Sequence, residues 1–167
     1  MRHFFLFLLG GLCLTACVSA HNGEAALGPI TGGQLRSQFA EFEQAYQRFQ
    51  PGPRELEAMQ ALKGKSVLVF LGTWCHDSQR EVPRLLKLLD VSGVEIEALQ
   101  LIAVGLDKRD PQGLAQQFNL LYTPTIIIKD DTREQYRMVE RPAGELALVL
   151  QSGVMEAEEQ DHDTKKQ

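Results

Sequence analysis

Cysteine is scarce in this chain, with three in 167 residues, at positions 13, 17 and 75. That spacing offers no disulfide framework of the kind that staples small secreted domains. Histidine is scarce as well, and His76 is the one that adjoins a cysteine. One Cys and one adjacent His do not make a zinc or copper site, so no metal is expected. A basic surplus is missing too. The net charge is −5 and no basic run is interleaved with aromatics, which sets nucleic-acid binding aside. Nor does the apolar stretch over 4–18 reach the roughly 20 residues that a membrane span needs. What remains suits one domain with an ordinary core and non-globular ends, and no cofactor is called for.

The first segment reads as a targeting signal. Arg2 and the amino terminus are positive, residues 4–12 are apolar, and Leu14-Thr15-Ala16-Cys17 follows. That tetrad resembles the lipobox of bacterial lipoproteins, in which the preceding segment is removed and the Cys is lipid-modified. The resemblance implies a signal peptide over 1–16 and a lipid anchor on Cys17. The competing reading is a plain signal peptide cut after Ala20, since Val18-Ser19-Ala20 is also a small-residue site. Both take the chain out of the cytoplasm. With lipid on Cys17, the protein is expected on the periplasmic side of a bacterial membrane. Val18 after the Cys, rather than Asp, points to the outer membrane. Cys75 is then the one free thiol of the mature chain.

Residues 17–33 are small and Gly-rich and read as a tether between lipid and domain. A helical extension is expected over 34–64. Leu35, Phe39, Phe42, Tyr46 and Phe49 form one apolar stripe at helical steps, and Pro51-Gly52-Pro53 breaks it before a second helix to about Leu62. Residues 67–71, VLVFL, form an unbroken apolar run, as in a strand buried on both faces. A helix over 76–90, a buried strand over 99–106, a short helix from Asp110 to Asn119 and strands over 125–128 and 134–139 follow. A last helix is expected from Pro142 to about Gln151. The acidic residues 156–167 lack an apolar pattern and read as a disordered tail, making 153–167 non-globular. Strand, helix, strand, helix, strand, strand, helix gives an α/β domain over 65–152 with a mixed sheet: the first pair parallel by a right-handed crossover, the last an antiparallel hairpin.

The motif of interest lies where the first buried strand ends, at Gly72-Thr73-Trp74-Cys75-His76-Asp77-Ser78. With the helix opening at Cys75, Pro83 eight residues later, and Tyr122-Thr123-Pro124-Thr125 ahead of the next strand, it resembles the thioredoxin superfamily. The resemblance covers about residues 65–152. It implies a thioredoxin-like fold, a nucleophilic Cys75 beside Trp74, and a cis Pro124 facing the thiol. Two departures stand out. Ser78 occupies the place of the resolving Cys, and Val69 that of the buried acid six residues before the nucleophile.

At a helix amino end, unpaired N–H groups and the helix dipole favour the thiolate of Cys75. Ser78 Oγ, one turn on, can donate to the sulfur, and a protonated His76 would help further. Asp77 works against the thiolate, or simply stabilises the first helical turn. Such a thiolate can attack a substrate disulfide to form a mixed disulfide, which an external thiol or reductase must then release. Thr123 and Pro124 would line the substrate edge, with Thr123 pairing main chain to main chain with an extended peptide. Two function classes follow: a membrane-tethered monothiol oxidoreductase or isomerase acting on protein disulfides and thiols, or a non-catalytic binding or scaffold module with a vestigial Cys75.

Overall fold

A computed structural model of the chain describes residues 25–131, 133–164 and 166. The predicted signal segment and Cys17 lie outside these. Among the described residues, five strands form one mixed sheet in the order β1-β3-β2-β4-β5. They are β1 (Gly28–Ile30), β2 (Ser66–Leu71), β3 (Ala98–Ala103), β4 (Thr125–Asp130) and β5 (Arg133–Val139). β2 and β3 run parallel and β4 and β5 antiparallel, as the order of elements predicts, and β4 also pairs antiparallel with β2.

Side chains alternate between the two sheet faces, as the two-residue strand period requires. Val67, Val69, Leu71, Ile126 and Ile128 face the larger core. That side is covered by α1 (Gly32–Gln38), α2 (Ala40–Arg48), α3 (Pro53–Ala58), α4 (His76–Ser92) and α6 (Leu146–Thr164). Leu68, Phe70, Ile102 and Ile127 face the other way, under the short α5 (Leu114–Gln117) and Phe118. Both faces of β2 are buried, hence its unbroken apolar sequence.

Three expectations need correction. The expected tether is partly structured: residues 28–30 add a strand antiparallel to β3, and α1 starts at Gly32 under a Thr31–Gln34 capping box. Three residues are too few to show a strand period. The single stripe helix is two helices, because Phe39 is extended (φ −125°, ψ 105°). The stripe itself still faces inward, with Leu35 and Phe42 fully buried. Finally, α6 begins at Leu146, beyond Pro142, and its helix runs through the residues read as a disordered tail. Lys65 reaches Glu158 at 2.8 Å and Arg133 reaches Asp161 at 2.7 Å. Acids without an apolar pattern thus serve as partners for cations fixed on the sheet.

Candidate redox site at the start of α4

β2 delivers the chain to the top of the sheet, and Gly72 turns it into α4. A Cβ on Gly72 would stand 2.6 Å from Trp74 Cε2, so the indole lies directly over this residue. Only a glycine leaves that space. Trp74 is further fixed by its Nε1–H donating to the Val104 carbonyl at 3.1 Å, and the Lys108 ammonium sits 4.2 Å from its ring centroid. The sequence shows Gly72 only as part of the motif, without its place beneath the indole, and gives no sign of Lys108. The GTWC string held a clue to the first, a glycine two positions before a bulky ring.

Cys75 is the N-cap of α4, extended at φ −91° and ψ 120°, and its thiol is partly exposed. Its Sγ–H donates to the Thr123 carbonyl at 3.1 Å. The Thr123–Pro124 bond is cis, so the loop before β4 meets the thiol as the resemblance implies. Ser78 is fully buried, and its Oγ accepts the Gly72 N–H at 3.1 Å, closing the turn on itself. The hydroxyl hydrogen is then left for the sulfur.

The balance of forces on the thiol is legible. Burial pushes its pKa up. Hydrogen bonds from the Thr123 side chain, from the Ser78 backbone and hydroxyl, and from the Asp77 backbone push it down, and they win. The Sγ–H bond to the Thr123 carbonyl exists only in the protonated form and opposes them. The net direction is below the ordinary thiol value.

Asp77 stands in the first turn of α4, and its charge is answered by arginines. Its carboxylate accepts from Arg141 Nε at 2.8 Å and lies 3.5 Å from Arg80 Nη2, so its charge is shared between two guanidinium groups. Arg141 is 64 residues away in sequence, and nothing in the local string announces it. His76 is exposed and, among the described residues, has no hydrogen-bond or ion-pair partner. Val69 is fully buried in the large core. Thr73 is tied on both sides: its carbonyl accepts from Gln79 Nε2 at 2.8 Å, and its Oγ1 accepts the Ala26 N–H at 3.2 Å. The segment leading into β1 thus braces the turn that carries Cys75. The structure brings Trp74, Cys75, Ser78, Thr123 and Pro124 together; Cys17 lies outside the described residues.

No family model matches the chain, and no curated relative matches it. Among solved structures, it is similar to a Pseudomonas aeruginosa protein of unknown function, at 23% identity and a TM-score of 0.48, over 74% of this chain and 77% of that one. It is also similar to mitochondrial thioredoxin 3 from Saccharomyces cerevisiae, at 18% identity and 0.40, over 67% and 98%. The DsbH oxidoreductase is a third, at 19% identity and 0.37, over 65% and 84%. By its own strand order, its Cys-capped helix and the cis proline set against the thiol, the chain has a thioredoxin-like α/β fold.

Proposed function

We propose that this protein is a thiol–disulfide exchange protein that works through Cys75 alone, tethered by lipid on Cys17 to the periplasmic face of a bacterial membrane. The observation that carries the reading is the partly exposed thiol with a lowered pKa, held against Thr123–Pro124 and supported by a buried Ser78. The Cys75 thiolate attacks one sulfur of a substrate disulfide. A Cys75–substrate disulfide forms, and the other substrate sulfur leaves as a thiolate. Ser78 cannot repeat that attack. A second thiol, either another cysteine of the substrate or an external small thiol or reductase, attacks the mixed disulfide and returns the Cys75 thiolate. Attack from within the substrate isomerises it with no net redox change. Attack by an external thiol leaves the substrate joined to that thiol, and a second external thiol completes a two-electron reduction.

The test is a non-reducing gel of wild type, Cys75→Ala and Ser78→Cys in a periplasmic extract. Wild type should accumulate covalent adducts that a reductant removes. Ser78→Cys should lose most of them by resolving its own mixed disulfides, because positions 75 and 78 share one helical turn. Adducts no more abundant in wild type than in Cys75→Ala would sink disulfide exchange and leave the binding-module reading. For the tether, intact mass should place a diacylated Cys17 at the mature start, and Cys17→Ser should become soluble.

A further inference from the structure

The helix that carries Cys75 also forms one wall of an arginine-lined cleft that the thiol chemistry does not use. Arg80 and Arg84 of α4 face Arg48 and Phe49 at the end of α2, with Gln50 beyond, around a space of about 250 Å³. Glu81 is only 1% exposed and lies against both α4 arginines: Arg80 Nε donates to it, and Arg84 Nη1 is 3.5 Å away. Arg48 has no ion-pair partner among the described residues, and Arg84 lies 5.5 Å from the Phe49 ring centroid.

Three full positive charges therefore converge where one buried carboxylate answers them. The second acid in reach of Arg80 is Asp77, which Arg141 already engages. Each guanidinium carries five N–H donors, and Glu81 engages only a few of them. The side chains of Arg80 and Arg84 are each 38% exposed, so the remaining donors are open to solvent. The carbonyl end of α2 opposes an anion here, but it amounts to roughly half an elementary charge against a surplus of whole ones. The volume lies below the range of about 300–1,000 Å³ usual for drug-sized ligands. It suits a carboxylate on a short stem, with Phe49 as apolar wall and paired N–H groups matching the two carboxylate oxygens.

We propose that the Arg48–Arg80–Arg84 cleft is a binding subsite for a small carboxylate-bearing molecule. Arg80 follows Cys75 by five residues, about 7–8 Å along the helix axis, so the bound molecule sits on the redox helix itself.

Citrate, titrated into the full chain at constant ionic strength, tests this by the shifts of arginine Nε–H resonances. Saturable binding is expected. Arg48→Ala should weaken it about tenfold or more, the scale set by losing one charge-assisted contact. Arg54→Ala removes the same charge from an exposed position of α3 that does not line the cleft and should change affinity less than about twofold, since an exposed charge without direct contact is screened. Cys75→Ala should bind as wild type does, which separates the cleft from the proposed thiol chemistry. Because Arg48 has no ion-pair partner among the described residues, its variant should melt close to wild type, losing only the small benefit of a cation in the last turn of α2. Non-saturable shifts, or equal losses in Arg48→Ala and Arg54→Ala, would overturn the subsite. Inorganic phosphate binding more tightly than citrate would overturn the carboxylate assignment.

Discussion

Two glycines in this protein each lie beneath an aromatic ring, and they do different things. A Cβ on Gly153 of α6 would stand 2.1 Å from Cδ2 of Tyr136 on β5; on Gly72 it would stand 2.6 Å from Cε2 of Trp74. The first contact seats a long helix on the sheet edge within the large core. The second shapes a turn that ends at the thiol. One close approach holds the fold together, and the other sets the geometry of a reactive group. Substitution at the two sites should separate stability from reactivity.

The largest stability loss is expected for Gly153→Ala. In an open helix interior this change would stabilise, because Gly is about 1 kcal/mol poorer than Ala. Here the methyl group overlaps a ring, and overpacking of this kind costs about 1–3 kcal/mol. Denaturant titration should show the loss, while the pH midpoint of Cys75 alkylation stays at its wild-type value. A stabilised Gly153→Ala protein would contradict the packing of α6 on Tyr136.

Gly72→Ala should reverse that pattern, with a smaller stability loss and a clear change at the site. Trp74 is the one tryptophan in the chain, so its emission reports the displaced indole without interference. Alkylation of Cys75 should change in rate. An unaltered emission spectrum would show that the ring does not rest on Gly72.

Ser78→Ala comes next, and its effect is a matter of sign. In the wild type the folded pKa of Cys75 is depressed. The stability this contributes is present in full above the ordinary thiol value of about 8.5 and is lost as pH falls through the folded value. Removing the hydroxyl should move the folded midpoint upward, narrowing that window from below. Thiolate absorbance against pH reads it directly; a midpoint that moves down would refute the role given to Ser78.

Lys65→Ala should cost less, about 0.2–1 kcal/mol as for other partly exposed ion pairs. Its mark is local: faster amide exchange in the last turns of α6, where Glu158 loses its partner. Asp77→Asn should have the smallest effect on the thiol. It releases Arg80 and Arg141 from their shared carboxylate, which leaves positive charge near Cys75 and lowers its pKa slightly. A large drop would mean that the pairing does not neutralise Asp77 in solution.

Much of the fold was legible because it is written in local periodicity. The run over 67–71 reads as a doubly buried strand, the stripe from Leu35 to Phe49 as an inward helical face, and the order of elements as a mixed sheet. The turn that carries Cys75 was legible for a related reason: Trp74, Cys75 and Ser78 lie within one short string, and Pro124 just precedes a strand. Other features left no local trace. Pro29 and Ile30 show no period in a three-residue strand. The break at Phe39 interrupts a stripe whose spacing continues through it. The acids of the last helix turns resemble a solvated tail until their cations are located.

The sequence by itself thus determined which segments are buried, in what order they alternate, and that a single thiol caps the helix after the first buried strand. Hydrophobic spacing and capping are short-range properties, read within a turn or two of chain. Only the tertiary structure decided where the long-range charge partners lie. Asp77 meets Arg141, Lys65 meets Glu158 and Arg48 faces Arg80 and Arg84 across 64, 93 and more than 30 residues of chain. A charged side chain is soluble wherever it stands, so its sequence neighbours do not specify its partner. The packing of helices on the sheet brings these groups within reach; Coulomb attraction then holds the two opposite-charge pairs, while the three arginines stay together only because the helices that carry them are packed.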